Sequence, residues 1–147
     1  MIARLRFWIA SLLLLSAVFA GCAGTPETRA RKVITGWDLL NSAAPRLARP
    51  AIKDCGDRAV ATAKTGSVAD ARANLASCYT ARSLVSRSLH ASLDATDAAA
   101  IGVDVAEAAK AKDYNGILQT AFPAVRDLWD ALNQIGVKNL PPLVGVP

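Results

Sequence analysis

Few side chains in this sequence are of a type that does chemistry: three cysteines (Cys22, Cys55, Cys78), one histidine (His90) and a set of aspartates at positions 94, 97 and 104. A thiol attacks as its thiolate and needs a base or a positive neighbour to form it. Cys78 has Tyr79 beside it and no histidine nearby in sequence. His90 stands alone within a long Ala-rich segment, where a surface imidazole is expected rather than an acid–base catalyst. Asp94, Asp97 and Asp104 align on one face if that segment is helical. Such a face either holds a cation or is simply solvated, and Glu107 and Asp113 do not complete a ligand spacing. One His and three Cys are too little for a metal cluster. Glycine-rich phosphate loops, haem-attachment motifs and nucleophile elbows are absent from the sequence. The expectation is a protein that is not an enzyme and uses neither cofactor nor metal ion.

The elements that would position these residues read as helices. Residues 22–147 hold 26 alanines, and strict apolar/polar alternation never persists for a strand's length. Thr25-Pro26-Glu27 reads as a cap, a first-turn proline and a favourable acid. Ala30, Val33, Ile34, Trp37, Leu40 and Ala44 then recur at helical steps, and Pro45 and Pro50 are expected to kink or interrupt the helix. A second segment, near 50–65, aligns Ile52, Cys55, Ala59 and Ala63. Gly66 ends it, and Ser67 with Asp70 approaches a capping box. The third and longest segment runs from Val68 to about Lys112 with Ala71, Leu75, Cys78, Val85, Leu89, Leu93, Ala100 and Val103 along its stripe. Asp113 caps a fourth, striped by Tyr114, Ile117, Ala121, Val125, Leu128, Leu132 and Ile135. Pro123 should kink it and Gly136 should stop it. The Leu140–Pro147 tail cannot be helical and is expected to lie extended, covering an apolar patch of its own domain.

Two cysteines set the packing. In an antiparallel hairpin turning between Gly66 and Ser67, the numbers of facing residues add to 133, as Cys55 and Cys78 do. Both lie on the apolar stripes, so a Cys55–Cys78 disulfide is expected, the alternative being two buried free thiols. If the first segment continues the line of the second past Pro45 and Pro50, the same register places Leu40 against Leu93 and Trp37 level with Thr96. A second turn near Asp113 makes the facing numbers add to about 226, bringing Trp129 level with Asp97 and into one layer with Trp37. The predicted fold class is all-α: a long kinked antiparallel hairpin with a shorter packed helix, a three- to four-helix bundle with one disulfide.

Cys22 belongs to a different pattern. Arg4 and Arg6 precede the uncharged run Phe7–Phe19, and Ala20-Gly21-Cys22 follows. A basic start, an apolar run of this length and small residues at its end describe a secretory signal. A spanning helix would need about 20 predominantly apolar residues. Phe19-Ala20-Gly21-Cys22 resembles the lipobox of bacterial lipoproteins, with Phe19 where Leu is most common. The resemblance covers these four residues and the signal before them. It implies a diacylglyceryl group on the Cys22 thiol, removal of residues 1–21 and acylation of the new amino terminus. By the sorting rule of enterobacterial lipoproteins, Ala23 implies the outer membrane, facing the periplasm. Export also supplies the oxidising compartment a disulfide needs.

The expected organisation is therefore a signal at 1–21, an anchor and short linker at 22–25, a helical bundle at 26–136 and a Pro-rich tail at 137–147. The whole chain carries a formal charge of +5 and a mean hydropathy of +0.26, much of the latter from the apolar start. From Cys22 onward 15 basic residues meet 12 acidic ones, a balance that is no nucleic-acid signature. The function expected is that of a membrane-anchored, non-enzymatic interaction module whose partner is an envelope protein or the cell wall. The alternative is a carrier with an internal Leu/Val-lined cavity for a small apolar ligand.

Overall fold

A computed structural model describes residues 24–145. The chain forms three helices in antiparallel succession: α1 (Pro26–Thr65), α2 (Val68–Ala108) and α3 (Tyr114–Gln134). Each starts where a side-chain oxygen takes up an orphan backbone N–H. Thr25 accepts from Thr28, Ser67 from Asp70 and Asp113 from Gly116.

Pro45 and Pro50 do not interrupt α1, which runs unbroken for 40 residues, so the four expected segments are three helices. Both prolines are solvent-exposed, as is Pro123 within α3, so each ring sits on the side away from the core. The helix keeps its facing register across them: Asn41 meets Ser92 on one side and Cys55 meets Cys78 on the other. Packing against α2 outweighs the local proline penalty of about 3 kcal/mol.

α2 ends at Ala108, earlier than the sequence suggests. Lys110 takes a left-handed conformation (φ 53°), while the Lys110 N–H reaches the Glu107 carbonyl and the Ala111 N–H the Ala106 carbonyl. This is a Schellman closure with lysine where glycine is usual. Gly136 (φ 84°) closes α3 the same way, with Val137 bonding Leu132. The earlier end of α2 shifts the second register. A Cβ on Gly102 would lie 3.0 Å from Ile117, so facing numbers across α2 and α3 add to 219 rather than 226. Trp37 consequently packs against Phe122 in a tilted pair, with ring centroids 6.2 Å apart, instead of sharing its layer with Trp129.

The main core lies where all three helices overlap, from Ala30 to Ala48 on α1, Val85 to Ala106 on α2 and Tyr114 to Leu132 on α3. Its centre is not wholly apolar. Leu93 is 40% exposed, and Ser92 occupies the inward position instead. Ser92 Oγ donates to Asn41 Oδ1 (2.6 Å), Asn41 Nδ2 donates to Thr96 Oγ1 (3.1 Å), and Thr96 Oγ1 donates to the Ser92 carbonyl (2.7 Å). The three residues are buried, and every buried side-chain polar atom among the described residues has a partner.

After Gly136 the chain reverses, Asn139 adopting φ 61°, and returns along the body. Leu140 and Leu143 pack on the core. Two indoles fasten the strap: Trp37 Nε1 donates to the Val144 carbonyl (2.9 Å) and Trp129 Nε1 to that of Pro141 (3.1 Å). Gly36 permits the close approach, since a Cβ there would stand 2.8 Å from Val144 Cγ2. The two tryptophans differ in burial, and so in expected effect. Trp37→Ala should cost about 3–5 kcal/mol in chemical denaturation. Trp129→Phe, which removes one hydrogen bond at a wetter site, should cost roughly 0.5–1.5 kcal/mol.

Candidate functional site

The hairpin has two unlike ends. α1 begins four residues after Cys22, so this end of the body adjoins the proposed anchor, although residues 1–23 with Cys22, and residues 146–147, lie outside the described residues. Arg31 organises this end. Its guanidinium contacts Glu27 (2.9 Å), Asp104 (2.9 Å) and Glu107 (2.8 Å), joining the first turns of α1 to the last turns of α2. Hydrogen bonds to Glu27, then Glu107 and Asp104, raise its pKa further above an already high value. The cluster is exposed, so it orients the helix ends more than it stabilises them.

Asp94, Asp97 and Asp104 do not form one site. Asp104 is committed to Arg31, and Asp94 faces solvent. Asp97 acts on Asp38 across the hairpin: partial burial, and then the negative charge of Asp97, raise the Asp38 carboxyl above the usual range. Among the described residues, no three His, Cys, Asp or Glu side chains are grouped to hold a metal ion. His90 is exposed on α2, with Nδ1 2.7 Å from the Ser86 carbonyl, to which it donates.

Beyond Ala48 on α1 and before Val85 on α2, no buried residue belongs to the core cluster, and only the half-buried Ile52 and Leu84 pack against it. Residues 49–84 form a two-helix arm reaching past the end of α3. Its interior is thin, with Ala59, Ala71 and Cys78 buried. The Cys55–Cys78 disulfide closes it, with Cα atoms 5.8 Å apart, and Asn74 donates to Thr62 nearer the tip (3.2 Å). Two adjoining grooves run along the arm and share Cys55, Arg58 and Ser77. One, of about 410 Å³, starts at Ile52, Leu84 and Ile135 where the arm leaves the body. The other, of about 570 Å³, continues past Thr62 and Asn74. Arg58 stands between them. Its Nε reaches only the Asp54 carbonyl (3.3 Å), and among the described residues it has no carboxylate partner. A separate apolar groove of about 450 Å³ lies between α1 and the tail, at Leu39, Leu40, Pro142 and Leu143.

The pairing of Cys55 with Cys78 was readable from spacing. The arm's grooves were not, because they depend on where α3 stops. No family model matches this chain, and neither a curated protein nor a solved structure shows significant similarity to it.

Two outcomes follow from this geometry. Replacing both Cys55 and Cys78 by Ala should lower unfolding free energy by about 3 kcal/mol in denaturant titration, since the bond closes a loop with a sequence separation of 23. Hydrogen exchange should then rise in residues 49–84 before it rises in the body. The second concerns Asp38. A raised native carboxyl pKa favours the native state most fully below the unfolded pKa, and that preference is lost as pH rises through the native value. Asp38→Asn should therefore raise the melting temperature at pH ~7, with the gain vanishing near pH ~3.

Proposed function

We propose that this chain is a lipid-anchored, periplasm-facing module of the bacterial outer membrane that acts by contact rather than catalysis. The observation that carries this reading is the run from Arg4 through Phe19-Ala20-Gly21-Cys22, followed almost at once by a capped helix. Only Ala23 and Gly24 separate Cys22 from the Thr25 cap. Acyl chains on Cys22 would thus hold a rod about 60 Å long, at 1.5 Å per residue, by one end. Each buried methylene adds about 0.8 kcal/mol to such an anchor, so several chains together hold firmly where one is marginal. Among the described residues no helix is long and apolar enough to cross a membrane. In this reading attachment comes from acyl chains on Cys22.

Contact as the mode of action is supported by what the body does with its polar groups. The buried Asn41, Ser92 and Thr96 satisfy one another, and Arg31 is occupied by three carboxylates. The centre of the three-helix body is filled by Trp37, Leu118, Leu128 and Leu132, which weighs against a carrier that holds its ligand inside.

The test is expression in a Gram-negative host beside Cys22→Ser, with intact mass and membrane fractionation. The wild type should have a mass starting at an acylated Cys22 and sediment with outer membranes. The variant should lose both properties. An unmodified, soluble wild-type chain would overturn the anchor.

A further inference from the structure

The charges of the described residues are unevenly placed. The arm, residues 49–84, carries Arg49, Lys53, Arg58, Lys64, Arg72 and Arg82 against Asp54, Asp57 and Asp70. The remaining described residues hold nine basic and nine acidic side chains. The entire net positive charge of this part of the chain therefore sits on the two-helix arm, at the end of the rod opposite the Thr25 cap. Four of the six basic residues are arginines, whose planar fork matches a carboxylate in a way that a lysine ammonium does not.

We propose that the arm binds the carboxylate-bearing peptides of the cell wall, with Arg58 as the central contact. This deepens the envelope reading and rests on it for the setting. The sign of the charge selects an anionic partner. The position of the arm selects one lying away from the anchoring membrane, since the excess positive charge is on the arm and the body, taken as a whole, is balanced. The shape of the site selects an extended chain. Two adjoining grooves follow the seam between α1 and α2, with a guanidinium that lacks a carboxylate partner at their junction; Ser77 lines both, and the Asn74–Thr62 hydrogen bond (3.2 Å) joins the walls of the second. The Ser77 hydroxyl, which lines both grooves beside Arg58, suits an N–H or C=O group of a peptide, and Arg58 takes its carboxylate. The Cys55–Cys78 bond lies in the shared stretch and fixes the distance between the walls.

The experiment is co-sedimentation of the detergent-purified full chain with insoluble cell-wall sacculi from a Gram-negative host. Phosphatidylglycerol vesicles serve as a second anionic target. Arg58→Gln is compared with the double change Arg29→Gln/Lys32→Gln, which removes more charge but from the body. An intact disulfide by non-reducing mass and unchanged helical circular dichroism establish that each variant is folded. The expected result is saturable binding to sacculi that weakens roughly tenfold in Arg58→Gln, as for loss of a charge-assisted hydrogen bond, and holds in the body variant. Absence of wild-type binding, equal loss in both variants, or tighter binding to vesicles than to sacculi would each overturn the proposal. The masses of the same samples report acylation of Cys22. A chain that binds sacculi with Cys22 unmodified keeps the arm and sinks the anchor, whereas an acylated chain that does not bind sinks the arm alone.

Discussion

Everything in this fold depends on the register between α1 and α2. Two Ala-rich helices of some 40 residues present each other with a seam of small side chains, and such a seam hardly distinguishes one alignment from the next turn along. Three devices at different heights remove that freedom. The Cys55–Cys78 bond fixes the arm. The Asn41–Ser92–Thr96 set fixes the centre, because a slip would strand buried polar atoms at about 1–3 kcal/mol each. The Arg31 cluster aligns the ends near the proposed anchor, weakly but in the same register. With α1 held in place, Trp37 lies where Phe122 and the returning tail can cover it, and α3 finds its groove.

The same register divides the molecule into parts with different sources of stability. The body has three helices, large buried side chains and a strap. The arm has two helices and an interior of Ala59, Ala71 and Cys78, too little apolar surface at about 25 cal/mol per Å² to hold a pair of helices together. A cross-link that shrinks the unfolded ensemble supplies what packing does not. Such a bond persists in an oxidising compartment, which ties the folding of the arm to the export that the amino-terminal sequence suggests.

Sequence reasoning reached the features that depend on local chemistry or on simple counting. Thr25, Ser67 and Asp113 are caps because short oxygen-bearing side chains suit that position, and Cys55 faces Cys78 because both lie equally far from the turn. The misses are places where tertiary packing decided between local options. Pro45 and Pro50 read as breaks but point to solvent from a helix held by α2. Leu93 looked like a core residue, yet Ser92 is inside, since Asn41 needs a partner more than the core needs a methyl group. That pair also adds to 133, so the signal was present and was hidden by the preference for apolar stripes. Lys110 in a left-handed conformation carried no signal, and the shift it causes moved Trp129 away from Trp37. Residues that bond to the tail, or line the arm, are defined only once α3 has a length.

Charge placement connects these physical parts to a use. Net charge that served solubility alone would be most cheaply carried by the well-packed body, where self-repulsion is small beside a large core. Instead the body is balanced, and the excess lies on the thin arm, where like charges oppose the packing of two helices that already need a covalent link. Lys53 and Asp57 neutralise each other at 2.6 Å, but Arg58 is left without a carboxylate in the middle of a groove. A group so placed gains no ion pair within the described residues of the free protein. In the proposed role its contribution comes when an external anion completes the pair, and the disulfide offsets the repulsion until then.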